Sequence, residues 1–344
     1  MTIEKIIEIP GDYGSGGGQI LRTALGLATL TGKACRITNI RAKRKNPGLR
    51  EQHLQAVNAL AKLCDAKVEG NKIGSREVVF EPGKIQEKPI NIRIGTAGSV
   101  GLVLQALLIP AIKHNLYLRI EGGGTYGKWA PPVSYISSVI GYFLRKIGCI
   151  IDICMEREGF YPKGGAIVEV KTRTEKPTEK PTALIAIEKG KLLEIGGVSV
   201  ASEYLKKARV AERQASTASQ LLKEKFKIEP KVKCSYSKSV CPGSGLQLYA
   251  KTENSILGAS SFGERGKRSE VIGKEAAEQL IWEYENGTVD SHASDQLIPY
   301  LGIAGGKIKT SKITEHCKTN IYVTEKFLPV KFFVKDNIIE ARKI

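Results

Sequence analysis

The stretch Ile90-Asn91-Ile92-Arg93-Ile94-Gly95-Thr96-Ala97-Gly98-Ser99, continuing as VGLVLQALLIPAI to Ile112, decides the fold. From Ile90 to Ile94 apolar and polar residues alternate with period two, the mark of a strand with one buried face. The small residues from Gly95 to Ser99 read as a turn, and residues 102–112 are apolar enough for a buried helix. The same opening occurs about 80 residues earlier, as an alternating run at residues 3–9, a Gly-rich turn and an apolar helix over residues 19–30. Two copies of one opening predict a repeat.

The elements that follow keep one order in both copies. In the first, a strand at 34–40 leads to a helix at 49–63 and short strands at 67–69 and 78–81. In the second, a strand at 116–120 leads to a helix started by Pro131-Pro132 and running to residue 147, then strands at 149–154 and 166–171. Proline suits the first turn of a helix because the N–H it lacks has no partner there. Ile40 aligns with Ile120 and Leu63 with Ile147. A module of strand, helix, strand, helix, strand, strand makes a sheet covered on one face by two helices.

Residues 172–182, TRTEKPTEKPT, are rich in proline and charge and read as a linker. Beyond them come a strand at 193–200, a charged helix at 202–225, strands at 231–236, 245–252 and 256–261, and a helix at 270–284. A third, shorter unit then runs through a helix at 294–301 and strands near Lys307 and at 320–323, 330–334 and 338–341. The predicted fold is α+β. Three repeated sheet-plus-two-helix units form a large domain of residues 1–183 and 286–344, and a smaller α/β domain, residues 184–285, is inserted in the third.

The 344 residues include 53 Lys and Arg against 35 Asp and Glu, a net charge of +18, which favours a polyanionic partner through phosphate contacts. A lysine-rich solvated surface is the plainer reading of charge taken alone. The seven cysteines stand apart with no C-x-x-C pair, so reduced thiols are expected rather than a disulfide framework or a zinc site. No apolar run reaches the roughly 18 residues of a membrane span, and MTIEKIIEIPGDYG lacks a signal-peptide pattern. The expected location is the cytoplasm, with no membrane partner.

Gly14-Ser15-Gly16-Gly17-Gly18-Gln19 lies between a strand and a helix, where backbone N–H groups and the helix dipole can hold an anion. Glycines also serve close packing, and Gly95 to Ser99 holds the same place in the second unit. Arg22 follows on the first helix, and Arg41, Arg44 and Arg50 follow the next strand. If both loops leave the sheet at one edge, these guanidiniums converge on phosphate oxygens; the alternative is a basic exposed turn. His316 lies in Thr314-Glu315-His316-Cys317-Lys318-Thr319-Asn320, read as the approach to a strand. A neutral imidazole attacks phosphorus well and leaves readily from a phosphoramidate, so a histidine can carry a nucleotidyl group between phosphates.

With these residues in view the chain resembles the RNA 3'-terminal phosphate cyclase family. The resemblance is carried by Gly16-Gly17-Gly18-Gln19-Ile20-Leu21-Arg22, Ile40-Arg41-Ala42, Asn46-Pro47-Gly48-Leu49, Gln52-His53-Leu54, Gly98-Ser99 and Ala130-Pro131-Pro132. It continues through Gly159-Phe160-Tyr161-Pro162-Lys163-Gly164-Gly165, Asp295-Gln296-Leu297, and His316 with Thr319-Asn320, all in the family's order. It implies that ATP transfers AMP to His316 and then to an RNA 3'-phosphate, after which the neighbouring 2'-hydroxyl displaces AMP and leaves a 2',3'-cyclic phosphate. It also implies that Gln105, Pro131, His292, Ala293, Ser294, Asp295 and Gln296 bind ATP. Arg22, Arg41, Arg44, Gln52 and His53 would bind the RNA phosphate, with Gly17, Gly18 and Gln19 beside the phosphates. Asp295 would orient His316 or a divalent metal, Mg or Mn.

Three departures go with the resemblance. Ser15 stands where many members have a Glu associated with the metal, which leaves the metal ligands open. His292 replaces a Tyr of many bacterial members. Residues 125–129 differ from the family's shorter polar loop, so that Trp129 beside Pro131 offers an apolar wall. Two rival readings are a cyclase-like RNA-binding protein of ribosome assembly, which would lack the histidine, and an enolpyruvyl transferase, which would need neither that histidine nor the inserted domain.

Overall fold

The computed structural model describes residues 6–14, 16–175 and 179–344. Ser15, the beginning of the first predicted strand and the middle of the predicted linker lie outside that set. In the first sheet β1 (Ile7–Pro10) runs parallel to β2 (Cys35–Thr38), β2 pairs antiparallel with β4 (Val78–Glu81), and β4 with β3 (Lys67–Glu69). Helices α1 (Gln19–Thr31) and α2 (Glu51–Cys64) connect these strands. α1 ends at Gly32, whose φ of 73° lets its N–H close on Ala28 O, as a left-handed cap does.

The second sheet joins β5 (Ile90–Ser99), β6 (Tyr117–Gly124), β7 (Cys149–Arg157) and β8 (Ile167–Thr174) in the order β5-β6-β8-β7. The small-residue segment read as a turn belongs to β5, whose register with β6 is interrupted between Ile94 and Ser99. β8 reaches Thr174, three residues into the stretch read as a linker. Between strands lie α3 (Val100–Leu107) with a 3₁₀ turn at Pro110–Ile112, and α4 (Val133–Tyr135), which continues through a π turn at Ile136–Ile140 into α5 (Gly141–Lys146).

β9 (Leu184–Ala186) comes next, and the residues predicted as the start of the insertion thus pair elsewhere: β9 lies parallel to β14 (Gly306–Lys309). Between them the chain forms β10 (Leu192–Ser202), a short 3₁₀ turn, α6 (Val210–Phe226), β11 (Lys231–Ser237), β12 (Ser244–Thr252), β13 (Ile256–Phe262) and α7 (Ser269–Asn286). These strands make a separate sheet in the order β11-β10-β12-β13. α8 (Ser291–Ala304) precedes β14, and α9 (Glu315–Phe327), β15 (Val330–Lys335) and β16 (Ile338–Lys343) follow it. The third sheet runs β9-β14-β16-β15, the same order and strand senses as the first two.

Residues 320–323, predicted as a strand, are part of α9. The β-branched residues there suggest a strand, but Asn320, Val323, Thr324 and Phe327 are the buried ones. That is the i, i+3, i+4, i+7 spacing of a helix face.

One apolar core runs through the sheets β1–β4, β5–β8 and β9-β14-β16-β15 and their helices, from Ile9 through Leu104 to Phe327. α1 sits at its middle, packed on α2, α3 and α9. Gly26 permits the approach to α3, since a Cβ there would lie 2.8 Å from Ala106 O. The β10 to α7 segment has a second core, in which Leu246, Leu248 and Leu257 meet Ile272 and Leu280. Tyr126, Phe160, Val200 and Cys241 form a small cluster where this segment rests on the second unit. Glycines set that contact: a Cβ on Gly245 would strike Tyr126, and one on Gly258 would strike Tyr135. Among the described residues no helix is long and apolar enough to cross a membrane.

Candidate active site

The loop entering α1 and the loop entering α2 meet over one cleft. Gly14 and Gly16 have φ of 55° and 57°, a left-handed geometry that side chains disfavour. At Gly18 the reason for glycine is contact, because a Cβ would lie 2.1 Å from His53 Nε2 and 3.1 Å from Arg22 Nη1. α1 begins at Gln19 with no side chain capping its first turn. Its N–H groups thus remain available to an anion.

Arg22, one turn into α1, is buried, and its Nε donates to Gln105 Oε1 of α3 at 3.1 Å. Burial lowers its pKa to about 10. Beside it His53 sits in the first turn of α2, where its Nδ1 accepts the Arg50 N–H at 3.2 Å. Burial, followed by the charges of Arg22, Arg41 and Arg50, depresses the His53 pKa to about 3. The ring is therefore neutral, and with Nδ1 accepting, the proton belongs on Nε2, the nitrogen beside Gly18. Gln52 ties the two units together, its Oε1 accepting Ser99 N–H at 2.9 Å.

The basic loop divides its work. Arg41 adopts φ of 55° and donates through Nη1 to Asn46 O at 2.7 Å and Gly48 O at 2.8 Å, so part of its guanidinium shapes the loop. Arg44 is exposed on the cleft wall.

α8 and α9 supply the opposite wall. Asp290 caps α8, accepting the N–H groups of His292 and Ala293. His292, Asp295 and Gln296, at positions i, i+3 and i+4, face the cleft. Ala293 and Ser294 do not: both are fully buried on the other side of the helix, Ser294 Oγ bonding Thr310 Oγ1 at 2.7 Å. Their part in the site is limited to backbone and support.

His316 is the second residue of α9, and Thr314 caps this helix by accepting Cys317 N–H at 3.1 Å. The Thr314 hydroxyl in turn donates to Asp295 Oδ1. Asn320 locks three helices, donating to Asp295 O at 2.6 Å and accepting from Thr23 Oγ1 at 2.8 Å. Burial lowers the His316 pKa; the Asp295 charge opposes this, while Arg22, Arg44 and His292 reinforce it. Burial raises the Asp295 carboxyl, and the Thr314 donor works against that.

The resulting cleft encloses about 1150 Å³, larger than the usual small-molecule pocket of ~300–1,000 Å³. Gly17, Gly18, Gln19, Arg22, Arg41, Arg44, Gln52, His53, Gln105, Pro131, His292, Asp295, Gln296 and His316 all line it. Arg50 and Trp129 line it too, and with them residues that had no role in the sequence reading: Lys128 and Tyr135, and from β13 Ser260 and Phe262. The two β13 residues gave no signal, because only the packing of the inner sheet on the second unit brings them there.

Two buried polar groups support the walls. Tyr135 OH donates to Asp290 Oδ1 at 2.5 Å, and Gly258 N–H of β13 to Asp290 Oδ2 at 2.9 Å, so Asp290 joins the inner sheet, α4 and α8. Burial and the nearby Glu283 charge raise its pKa. Below the loop at 125–132, Thr125 Oγ1 donates to Glu158 Oε2, whose carboxyl is pushed up to about 7 by burial.

Among the described residues no three His, Cys, Asp or Glu side chains group as a metal site, and Asp295 is the one carboxylate on the cleft wall. A divalent metal would thus be held mainly by substrate phosphates and water, as Mg²⁺ is at many ATP sites.

The model of a family described as RNA 3'-terminal phosphate cyclase matches residues 13–334. The chain is 44% identical to an RNA 3'-terminal phosphate cyclase of Pyrococcus abyssi over 343 residues, covering 98% of each. It is 46% identical to one of Staphylothermus marinus over 337 residues, 94% of this chain and 93% of that one. For one of Methanopyrus kandleri the identity is 43% over 341 residues, 96% of each. The solved enolpyruvyl transferase NikO of Streptomyces tendae matches at 10% identity with a TM-score of 0.26, covering 98% of this chain and 81% of that one, too distant to bear on fold or function.

Proposed function

The chain belongs to the RNA 3'-terminal phosphate cyclase family, and on that premise we propose that it converts an RNA 3'-phosphate to a 2',3'-cyclic phosphate at the expense of ATP. The neutral His316 imidazole attacks the α-phosphorus of ATP, a P–N bond forms, and the P–O bond to pyrophosphate breaks. An oxygen of the RNA 3'-phosphate then attacks the AMP phosphorus and releases the histidine. Finally the 2'-hydroxyl attacks the 3'-phosphorus, loses its proton, and AMP departs. This last step needs positioning and no new nucleotidyl carrier.

The observation that carries the proposal is the place of His316, at the N-terminal turn of α9 in a cleft whose other wall bears Arg22, Arg44 and neutral His53. Its lowered pKa favours the uncharged nucleophile. Arg22, Arg41, Arg44, Gln52 and His53 are assigned to the RNA phosphate, and Gln105, Pro131, His292, Asp295 and Gln296 to ATP. In the same reading a divalent metal, Mg or Mn, accompanies the triphosphate. The three outer sheets are copies of one module, and the segment from β10 to α7 is an insertion in the third.

Incubation with α-labelled ATP followed by denaturing electrophoresis tests the mechanism. Wild type should take up acid-labile, alkali-stable label; His316→Ala should take up none, yet still cyclise a pre-adenylylated RNA end. Normal labelling of His316→Ala would make the histidine structural and defeat the proposal.

A further inference from the structure

Trp129 is 94% exposed on the wall of the cleft and has a φ of 59°. Leaving a whole indole in water forgoes the burial that drives folding, and a left-handed backbone is disfavoured for a residue with a side chain. The loop that bears these costs is pinned at several points. Thr125 N–H donates to Gly159 O at 2.9 Å, Val133 N–H returns to Thr125 O at 3.2 Å, and Lys128 Nζ pairs at 2.7 Å with Glu264, in the connection between β13 and α7. Gly101 lets Pro131 O approach so closely that a Cβ there would lie 2.2 Å away. The indole is thus held out over the cleft by a preorganised loop, which lowers the ordering cost of binding.

Its surroundings specify the occupant. Arg44, Lys45 and Arg50 line the same cleft, and a cleft that offers an aromatic face together with cations is the arrangement that binds single-stranded nucleic acid, the base stacking while the charges follow the backbone. The cleft volume leaves space beyond one nucleotide. An indole this exposed stands at the mouth, where a strand enters, rather than in the enclosed part. We propose that Trp129 is the stacking platform for a base in the last two nucleotides of the RNA 3' end. This rests on the function proposed above, and goes beyond it by assigning the base subsite of the second substrate.

The chain has two tryptophans, and Trp282 lies on α7 outside the cleft lining. In the full-length Trp282→Phe protein, selectively excited tryptophan fluorescence therefore reports Trp129 alone. A 3'-phosphorylated oligoribonucleotide should quench it, whereas ATP, or the same oligonucleotide abasic at its last two positions, should not. Quenching by ATP would assign the indole to adenine and overturn the proposal, as would equal quenching by the abasic strand or none by any ligand. Kinetics give a second check. Trp129→Ala should raise the KM for RNA about ten-fold more than that for ATP, and Trp129→Phe should recover most of the loss. Equal rises would refute the assignment. If wild type takes no label from ATP yet the intact strand quenches, the proposed chemistry fails while the platform stands.

Discussion

Replacing Glu158 by Gln should remove a pH dependence from folding. The carboxyl is buried beneath the loop that carries Trp129, and its pKa rises from 4.5 to about 7 because burial penalises the charged form more than the Thr125 hydrogen bond favours it. Below pH 4.5 the folded and unfolded chains both hold the proton. Between 4.5 and about 7 the unfolded chain releases it while the folded chain keeps it, so this group's contribution to stability falls as pH rises through that window and then levels. At about 1.4 kcal/mol per pH decade the loss is about 3 kcal/mol. Glutamine keeps a carbonyl oxygen as acceptor for the Thr125 hydroxyl and cannot ionise. Urea unfolding of both proteins at pH 4 and pH 8 measures the effect, with Glu158→Gln gaining about 3 kcal/mol on wild type between the two. A change in the difference of less than about 1 kcal/mol would show that the site is hydrated or relaxes on ionisation, and would refute the argument.

Three other outcomes follow from the cleft. Because burial lowers the His316 pKa and the neutral ring is the nucleophile, the acid limb of the protein-labelling rate should lie below pH 6.5; a limb at or above that value would count against the assigned role. Gly18→Ala should displace His53 and cut RNA cyclisation about ten-fold or more while the protein remains folded, and wild-type kinetics in a folded mutant would show that the 2.1 Å clash relaxes at no cost. Asp290→Ala removes the acceptor of Tyr135 OH and of three backbone N–H groups; it should destabilise the chain by about 3–5 kcal/mol in urea melts, and a loss under about 1 kcal/mol would show that water replaces it.

Most elements were legible because apolar periodicity is local. The alternating run at residues 90–94 buries Ile90, Ile92 and Ile94, residues 19–30 form an apolar helix buried on nearly every side, and the ends of α2 and β4 fall within two residues of expectation. The failures share a cause. β-Branched residues in α9 suggested a strand, yet their burial pattern is helical because the helix packs on α1 and α8. β9 is three residues long and has no periodicity to read; its pairing with β14, across the inner sheet in the chain, makes it a strand.

The chemical inventory of the cleft was present in the linear chain, since the glycine loop, the arginines and His316 are marked by residue type and spacing. What the sequence settled by itself is that the molecule is α+β, carries a net charge of +18 and holds those groups. Only the folded molecule decided that Ala293 and Ser294 turn away from the cleft, that His53 is neutral, and that Ser260 and Phe262 complete the walls. Periodicity and propensity act over a few residues. The Tyr135–Asp290 bond that helps set the walls spans 155 positions. A residue's charge and exposure depend on such distant neighbours, which exist only once the layers have packed.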